Sequence, residues 1–123
     1  ADRAAGKTGW WIMRAGRSGA AGTLRETGAG RFSLSGAVTM ATVAALRSAG
    51  LAAFAASPAA IEVELSAVER ADSGALALLI DWLAWARAAG RAMSFTALPA
   101  ALLALARLSG VDELLAGGVA ARP

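Results

Sequence analysis

The stretch "IEVELSAVERADSGALALLIDWLAWARAAG", residues 61–90, decides the fold, because it holds a strand, a polar break and an apolar helix in that order. Apolar and polar side chains alternate from Ile61 to Val68, as they do in a half-buried strand. After the short loop 69–71, the helix begins at Ser73, and Ala89-Gly90 closes it. The polar break 72–74 therefore lies between the carboxyl end of a strand and the amino end of a helix, where open α/β sheets place their sites.

Two further elements precede this stretch. Phe32 and Leu34 alternate with serines in "RFSLSG", and the glycines at 28–30 supply a hairpin turn from the preceding "TLRET". A helix then follows, with Thr39 as its cap and Gly50 as its end. Its predicted inward face consists of Met40, Val43 and Leu46. The segment 51–60 is ambiguous, since Leu51 and Phe54 suit a longer helix that Pro58 must stop.

The remaining elements follow the central helix. A strand is predicted over 92–98, with Met93, Phe95 and Ala97 on its inward side. Pro99 then opens a helix whose inward spacing is Leu102, Leu105 and Leu108, and a last helical turn covers 111–115. Strands separated by helices imply crossover connections. We therefore predict an α/β fold, a small mixed β-sheet with helices packed on it, over residues 21–116, between an N-terminal extension (1–20) and a flexible tail (117–123).

Composition excludes several kinds of chemistry. The 123-residue chain has no cysteine and no histidine, so disulfides, thiol nucleophiles, Ser-His pairs and ordinary zinc sites are ruled out. Its only lysine is Lys7, which is poorly placed for a Ser-Lys mechanism. No acid-base pair or metal cluster converges on Ser73. We therefore expect a protein that is not an enzyme and that binds no metal or cofactor.

The first 20 residues are basic, and the net charge of the whole chain is +3. A basic arm can bind phosphates or anionic lipid, but so few charges favour a solvated, poorly ordered extension. Its apolar segment Trp10–Met13 could dock on the domain, touch a membrane surface or form a short strand. The sequence holds no run of about 18–20 apolar residues and no secretory signal, so a cytoplasmic protein without direct membrane insertion is the default expectation.

The polar break allows two interpretations. Asp72 or Ser73 can cap the helix by accepting from its free N–H groups, which is a purely structural role. Alternatively, an exposed serine at this position offers its hydroxyl to a partner or a kinase. A phosphate on Ser73 would meet the positive end of the helix dipole, so phosphorylation could leave the fold intact and abolish binding.

The helix that follows has two apolar stripes. The first can cover the sheet and consists of Leu76, Leu79, Ile80 and Leu83. The second, with no obvious acceptor in so small a domain, consists of Leu78, Trp82 and Trp85, with Ala75 and Ala89. Tryptophan is enriched at interface hot spots, so this second stripe suggests a binding surface. Packing over the domain's edge or against the N-terminal segment explains it equally well.

The pattern over residues 23–115 resembles the STAS domain family (sulfate transporter and anti-sigma-factor antagonist). The family has a strand ending in Leu-Ser, a short loop, Asp-Ser/Thr-[SG]-Gly-Leu, a helix, a strand and a Pro-initiated helix. Here the corresponding stretches are "IEVELSAVERADSGALALLIDWLAWARAAG" and "RAMSFTALPAALLALARLSGVDELL", with "RFSLSG" similar to the family's early strand.

Within the family, the run "DSGALALLIDWLAWARAAG" is most similar to the B subunit of the Mla phospholipid-transport ABC system. Ser73 takes the place of a threonine, Asp72 and Gly74 match, and Ala75 replaces a glycine. In the anti-sigma-factor antagonists, the residue aligned with Ser73 is phosphorylated by the partner kinase, and the residue aligned with Gly74 is usually a second serine. Gly74 therefore favours the transport subunit.

The resemblance implies a cytoplasmic accessory protein, associated with the inner membrane through its partner, which binds the transporter's ATPase and supports lipid asymmetry of the outer membrane. The alternative is an anti-sigma-factor antagonist that binds an anti-sigma kinase and is switched at Ser73. Neither function involves nucleic acid. The predicted partner-binding residues are Asp72, Ser73, Gly74, Ala75, Leu78, Trp82 and Trp85.

Overall fold

The computed structural model describes residues 22–121. These form one four-stranded sheet in the order β1-β2-β3-β4. The strands are β1 (Thr23–Gly28), β2 (Arg31–Val38), β3 (Ile61–Ala71) and β4 (Met93–Thr96). The helices are α1 (Val43–Ala56), α2 (Ser73–Ala89), α3 (Ala100–Leu108) and α4 (Asp112–Gly117). The predicted N-terminal extension, with its Trp10–Met13 segment, lies outside the described residues.

A tight hairpin joins β1 to β2, which pair antiparallel. Gly30 in the turn has a φ of 73°, and a Cβ atom there would lie 2.1 Å from the carbonyl oxygen of Ala60. Only glycine suits both the backbone conformation and this close approach. The hairpin predicted from the glycines at 28–30 is confirmed.

The strands β2, β3 and β4 are parallel and are joined through α1 and α2. Because both crossovers step in the same direction across the sheet, right-handed connections place both helices on one face. That face holds the core, and the opposite face carries polar side chains such as Ser33, Glu64 and Ser94. The predicted mixed sheet with helices packed on it is confirmed.

The core forms between the sheet and the helix layer. Strand side chains contribute alternate residues, and the helices contribute their inward stripes. The largest fully buried side chains are Trp82, Phe32, Phe54, Leu34, Ile61, Leu65, Leu78, Leu79, Met93, Leu102, Leu115 and Val38. The strand alternation read from Phe32, Leu34, Ile61, Val63 and Leu65 is thus confirmed.

Strand β3 is longer than its alternating pattern predicts. The segment 69–71, expected to be a loop, continues the strand, and Arg70 and Ala71 pair with Ala37 and Val38. Register shifts between β2 and β3 interrupt the strict alternation in this region. Such irregularities break the period of two that a sequence reading depends on, so the last three strand residues resemble a loop.

Helix α1 begins and ends later than predicted. Thr39 and Met40 lie in a turn before the helix, and Met40 is 65% exposed instead of facing inward. The helix continues through Gly50 and ends at Ala56, with Ser57 as its C-cap just before Pro58. Gly50 is buried inside the helix, because the ring of Trp82 occupies the space where a side chain would lie.

The C-terminal elements also differ in detail. Strand β4 ends at Thr96, since Ala97 has a φ of 58° and leaves the extended conformation. Leu108, predicted to face inward, is 86% exposed. Within the segment predicted as a tail, Val119 exchanges two backbone hydrogen bonds with Met93, of 2.8 and 2.9 Å. Val119 thereby extends the sheet by one bridge beside β4.

Candidate functional site

The predicted site lies where two parallel strands end. Strand β2 leads into the turn 39–42, and β3 leads into Asp72 and the start of α2. Because β2 and β3 are neighbours and parallel, their following segments meet at the same edge of the sheet. The structure therefore brings the polar break together with a turn that is 32 residues away in sequence.

Asp72 joins these two segments through its carboxylate. As N-cap of α2, it accepts a hydrogen bond of 2.7 Å from the backbone N–H of Gly74. The same carboxylate accepts from the backbone N–H of Met40, at 3.1 and 3.2 Å to its two oxygens. Asp72 is thus committed to internal donors, which gives it a structural role in holding the turn against the helix.

Ser73 is the first residue of α2, as predicted, and its side chain is exposed. The cap is Asp72, so the Ser73 hydroxyl is not needed to satisfy the helix terminus. Within residues 22–121, this hydroxyl makes no hydrogen bond to another group. Ser73 can therefore meet a partner or a modifying enzyme without any rearrangement of the fold.

Gly74 is buried against the turn. A Cβ atom at this position would lie 2.7 Å from the Met40 nitrogen and 2.9 Å from both the Thr39 carbonyl carbon and an Asp72 carboxylate oxygen. No side chain fits there without moving backbone, which accounts for glycine beside the exposed serine. Ala75, the next residue, is also buried and belongs to the core.

The second apolar stripe of α2 is not a free surface. Leu78 and Trp82 are both fully buried, so the expectation that they flank Ser73 on an exposed face is wrong. The reason is that α1 packs on this stripe. The Trp82 ring lies edge-on to Phe54, with centroids 5.0 Å apart, and its Nε1 donates a 3.5 Å hydrogen bond to the Arg47 carbonyl.

Trp85 is half-buried and lies far from Ser73. The two residues are twelve positions apart on the same helix, which corresponds to about 18 Å along its axis. The Trp85 ring contacts Phe54 at a centroid distance of 6.0 Å, and the guanidinium of Arg91 lies 5.9 Å from its centroid. Trp85 therefore covers the opposite end of the α1–α2 pair and is not part of the surface around Ser73.

One exposed apolar residue, Met40, lies in the turn that Asp72 holds against the start of α2, and its predicted inward orientation is wrong. Met40 follows β2 and is joined to the same carboxylate that caps α2. Its spacing to Val43 and Leu46 resembles a helix face, which led to an inward assignment. The signal that opposes this assignment is Thr42, whose hydroxyl accepts from the Thr39 N–H at 3.0 Å and fixes a turn before the helix.

Beyond Ser73, the outer surface follows the seam between α1 and α2. Ala77 is exposed one turn after Ser73, and Asp81 is exposed one turn later. Asp81 accepts from the Nε of Arg47 on α1 at 3.1 Å, so the two helices are joined by an exposed ion pair at this point. We call the exposed set Met40, Ser73 and Ala77, bounded by this ion pair, the turn patch.

The turn patch presents the exposed Ser73 hydroxyl and the exposed Met40 side chain. Among residues 22–121, no group of three or more acidic side chains is placed to hold a metal ion. The Asp72 carboxylate is occupied by backbone donors, which leaves Ser73 without a neighbouring base. In the described part of the chain, no helix has the length and apolar character needed to cross a bilayer.

Comparison with known proteins agrees with this architecture. A family model described as "Mlab, STAS domain" matches residues 22–116, which include the hairpin, the turn patch and the four helices except the last residue of α4. A search of curated proteins finds no match. The matched residues include the whole buried core, which runs from Phe32 to Leu115. The chain therefore belongs to the STAS domain family.

Proposed function

We propose that this chain is a non-catalytic STAS subunit that binds the ATPase of an Mla-type phospholipid-transport ABC transporter. Binding supports assembly or activity of the transporter and thereby the lipid asymmetry of the outer membrane. The subunit itself is cytoplasmic, reaches the inner membrane through its partner, and contacts neither nucleic acid nor the bilayer core. The family description, which names Mlab, supports this assignment.

The observation that carries the proposal is the exposed Ser73 at the first position of α2. Its hydroxyl is free of internal hydrogen bonds in the described chain, and its two neighbours are joined by the hydrogen bond from the Gly74 N–H to the Asp72 carboxylate. A polar group fixed at such a rigid point loses little freedom when a partner contacts it. An exposed residue at a helix terminus beside a fixed turn, as Ser73 is, suits contact with a partner protein more than packing in the core.

The test begins with affinity purification of the tagged full-length chain from its native cells, with partners identified by mass spectrometry. We expect an ABC ATPase to be recovered with the wild-type chain. Ser73→Arg and Ala77→Arg place bulky cations on the turn patch, and we expect each to reduce recovery at least about tenfold, because a wrongly placed charge at an interface costs several kcal/mol.

The matched control is Ala104→Arg, at an exposed alanine of α3 outside the turn patch. This variant should recover as much ATPase as the wild type, and all three variants should keep the wild-type melting temperature. Failure of the wild-type chain to recover any ATPase would contradict the proposal. Equal loss in all three variants would show that the added charge acts nonspecifically.

The same exposed hydroxyl favours one alternative, an anti-sigma-factor antagonist phosphorylated at Ser73. A phosphate there would lie at the positive end of the α2 dipole and beside the Asp72 carboxylate, so it would change the charge of the turn patch without entering the core. Intact mass of the chain from cells in different growth states tests this function. A kinase-dependent gain of one phosphate on Ser73 supports it, and its absence in every state counts against it.

A further inference from the structure

Met40 is exposed, whereas most large hydrophobic side chains of the described residues are buried. Among the described residues, the large hydrophobic side chains with substantial exposure are Met40 (65%), Leu108 (86%) and Leu114 (38%). Leu108 is the last residue of α3, and Leu114 belongs to α4. Helix α3 follows β4 and runs back from the edge of the sheet where Ser73 lies, so Leu108 is at the end of α3 away from that edge. Of the three, Met40 is the one whose backbone is bonded to Asp72, the cap of α2.

The backbone around Met40 is fixed by several hydrogen bonds. The Thr39 carbonyl accepts from the N–H groups of Thr42 and Val43, each at 2.9 Å. The Thr42 hydroxyl donates to the Ala37 carbonyl at 2.9 Å, which ties the turn to the end of β2. With its own N–H held by Asp72, Met40 presents its thioether from a defined position and not from a loose loop.

The fixed turn also fixes the relation between Met40 and Ser73. The Asp72 carboxylate accepts from the Met40 N–H, and it also accepts from the Gly74 N–H as the cap of α2, the helix that begins at Ser73. Gly74 allows the two backbones to touch, since a Cβ atom there would lie 2.7 Å from the Met40 nitrogen. The backbones that carry Met40 and Ser73 are therefore held together, and both residues are exposed.

We propose that Met40 is the apolar anchor of the turn patch, and that it inserts into an apolar pocket of the partner while Ser73 faces a polar group at the rim of that pocket. The proposal rests on the proposed function, so the occupant is the ATPase subunit. Continuity with the Ser73 surface is the reason for this choice. Methionine suits the role because its flexible, polarizable chain adapts to irregular pockets.

Asp72 is a positioning residue for this anchor. Asp72→Ala removes the acceptor of the Met40 N–H and the cap of α2 together. We expect faster hydrogen exchange at the Met40 amide and weaker binding of the ATPase, with Met40 itself unchanged. Unchanged exchange at this amide would show that Asp72 does not hold the turn.

The decisive variant is Met40→Ser in the full-length chain, measured for binding to the ATPase subunit recovered with the wild type. Burial of a methionine side chain contributes enough free energy that we expect Kd to rise about tenfold or more. Met40→Leu keeps an apolar side chain and should keep binding within about threefold. Leu108→Ser is the matched control, at a more exposed apolar position outside the turn patch, and should leave Kd unchanged.

The outcomes separate this proposal from the proposed function. Wild-type binding with no loss in Met40→Ser overturns the anchor and leaves the ATPase assignment intact. Equal losses in Met40→Ser and Leu108→Ser also overturn it. If the wild type binds no ATPase, both proposals fail. If sedimentation shows a wild-type dimer that Met40→Ser converts to a monomer, the occupant is a second copy, and the proposal as stated is wrong.

Discussion

The contact between Gly50 and the Trp82 ring sets how closely α1 approaches α2. A Cβ atom on Gly50 would lie 2.4 Å from Cζ2 and 2.7 Å from Nε1 of the indole. Alanine improves helix propensity by about 1 kcal/mol, but overpacking a core costs about 1–3 kcal/mol. The steric cost therefore decides the sign of the change in stability, and glycine is needed at position 50 because it lets α1 approach the Trp82 ring.

We expect Gly50→Ala to lower the free energy of unfolding by about 1 kcal/mol or more, measured by urea denaturation. Gly117→Ala is the matched control, because a Cβ atom there meets nothing within 4 Å. It should be neutral or stabilising. In a Trp82→Phe background the colliding indole atoms are absent, so the cost of Gly50→Ala should shrink, as a double-mutant cycle will measure. Additive costs would contradict this packing account.

Gly50 and Trp82 also show what cannot be predicted from the sequence alone. A glycine after a helical pattern predicts a helix end, but the same residue serves where two helices touch. The choice depends on Trp82, which is 32 positions away and whose own burial depends on α1. Ser73, by contrast, was placed correctly, since a cap and the start of a helical period are local signals.

At the scale of elements, one side chain ties the end of α1 to the start of β4. Arg91 donates from Nη1 to the Phe54 carbonyl at 3.4 Å and from Nη2 to the carbonyls of Ser57 and, at 2.8 Å, Ala59. The guanidinium also lies over the Trp85 ring. A planar fork with several donors suits this arrangement, which a lysine ammonium cannot reproduce.

We expect Arg91→Lys to lower the free energy of unfolding by about 1.5–3 kcal/mol, since hydrogen bonds from a charged donor to partly buried carbonyls are lost. Thermal and urea unfolding both measure this change. Arg107→Lys, at an exposed position of α3, should change it by less than about 0.5 kcal/mol. Equal effects of the two substitutions would show that the Arg91 contacts contribute little.

The sequence predicts which segments are strands and which are helices, but it does not predict which elements pack against one another. The period of two in β2 and β3 and the period of 3.6 in α2 are local, so the sheet and its helices follow from the pattern. The second stripe of α2 was predicted as a partner surface because nothing local says that α1 covers it. The burial of Leu78 and Trp82 follows from how α1 lies on α2, and the exposure of Met40 follows from the turn that delays the start of α1 to Val43.

In the whole molecule, the residues that contact the core span a longer part of the chain than the buried core residues themselves. Every residue of the buried cluster lies between Phe32 and Leu115, yet Val119 pairs with Met93 and packs against that cluster. Gly22 is also in contact, because a Cβ atom there would lie 2.6 Å from the Ala37 carbonyl oxygen. The folding unit is thus expected to extend from Gly22 to just beyond Val119.

We expect a chain without residues 1–20 to keep the wild-type melting temperature within about 4 °C, because it retains every described core contact. A chain that ends at Gly117 should melt at least about 8 °C lower. It loses the two backbone hydrogen bonds between Val119 and Met93, the one from Gly118 to Leu114, and the packing of Val119. Together these are worth about 2 kcal/mol, and 1 kcal/mol shifts the melting temperature of a domain this size by about 4–8 °C. Differential scanning calorimetry measures both. An equal drop in the two truncated chains would mean that the first 20 residues contribute to the fold as much as the Val119 bridge does.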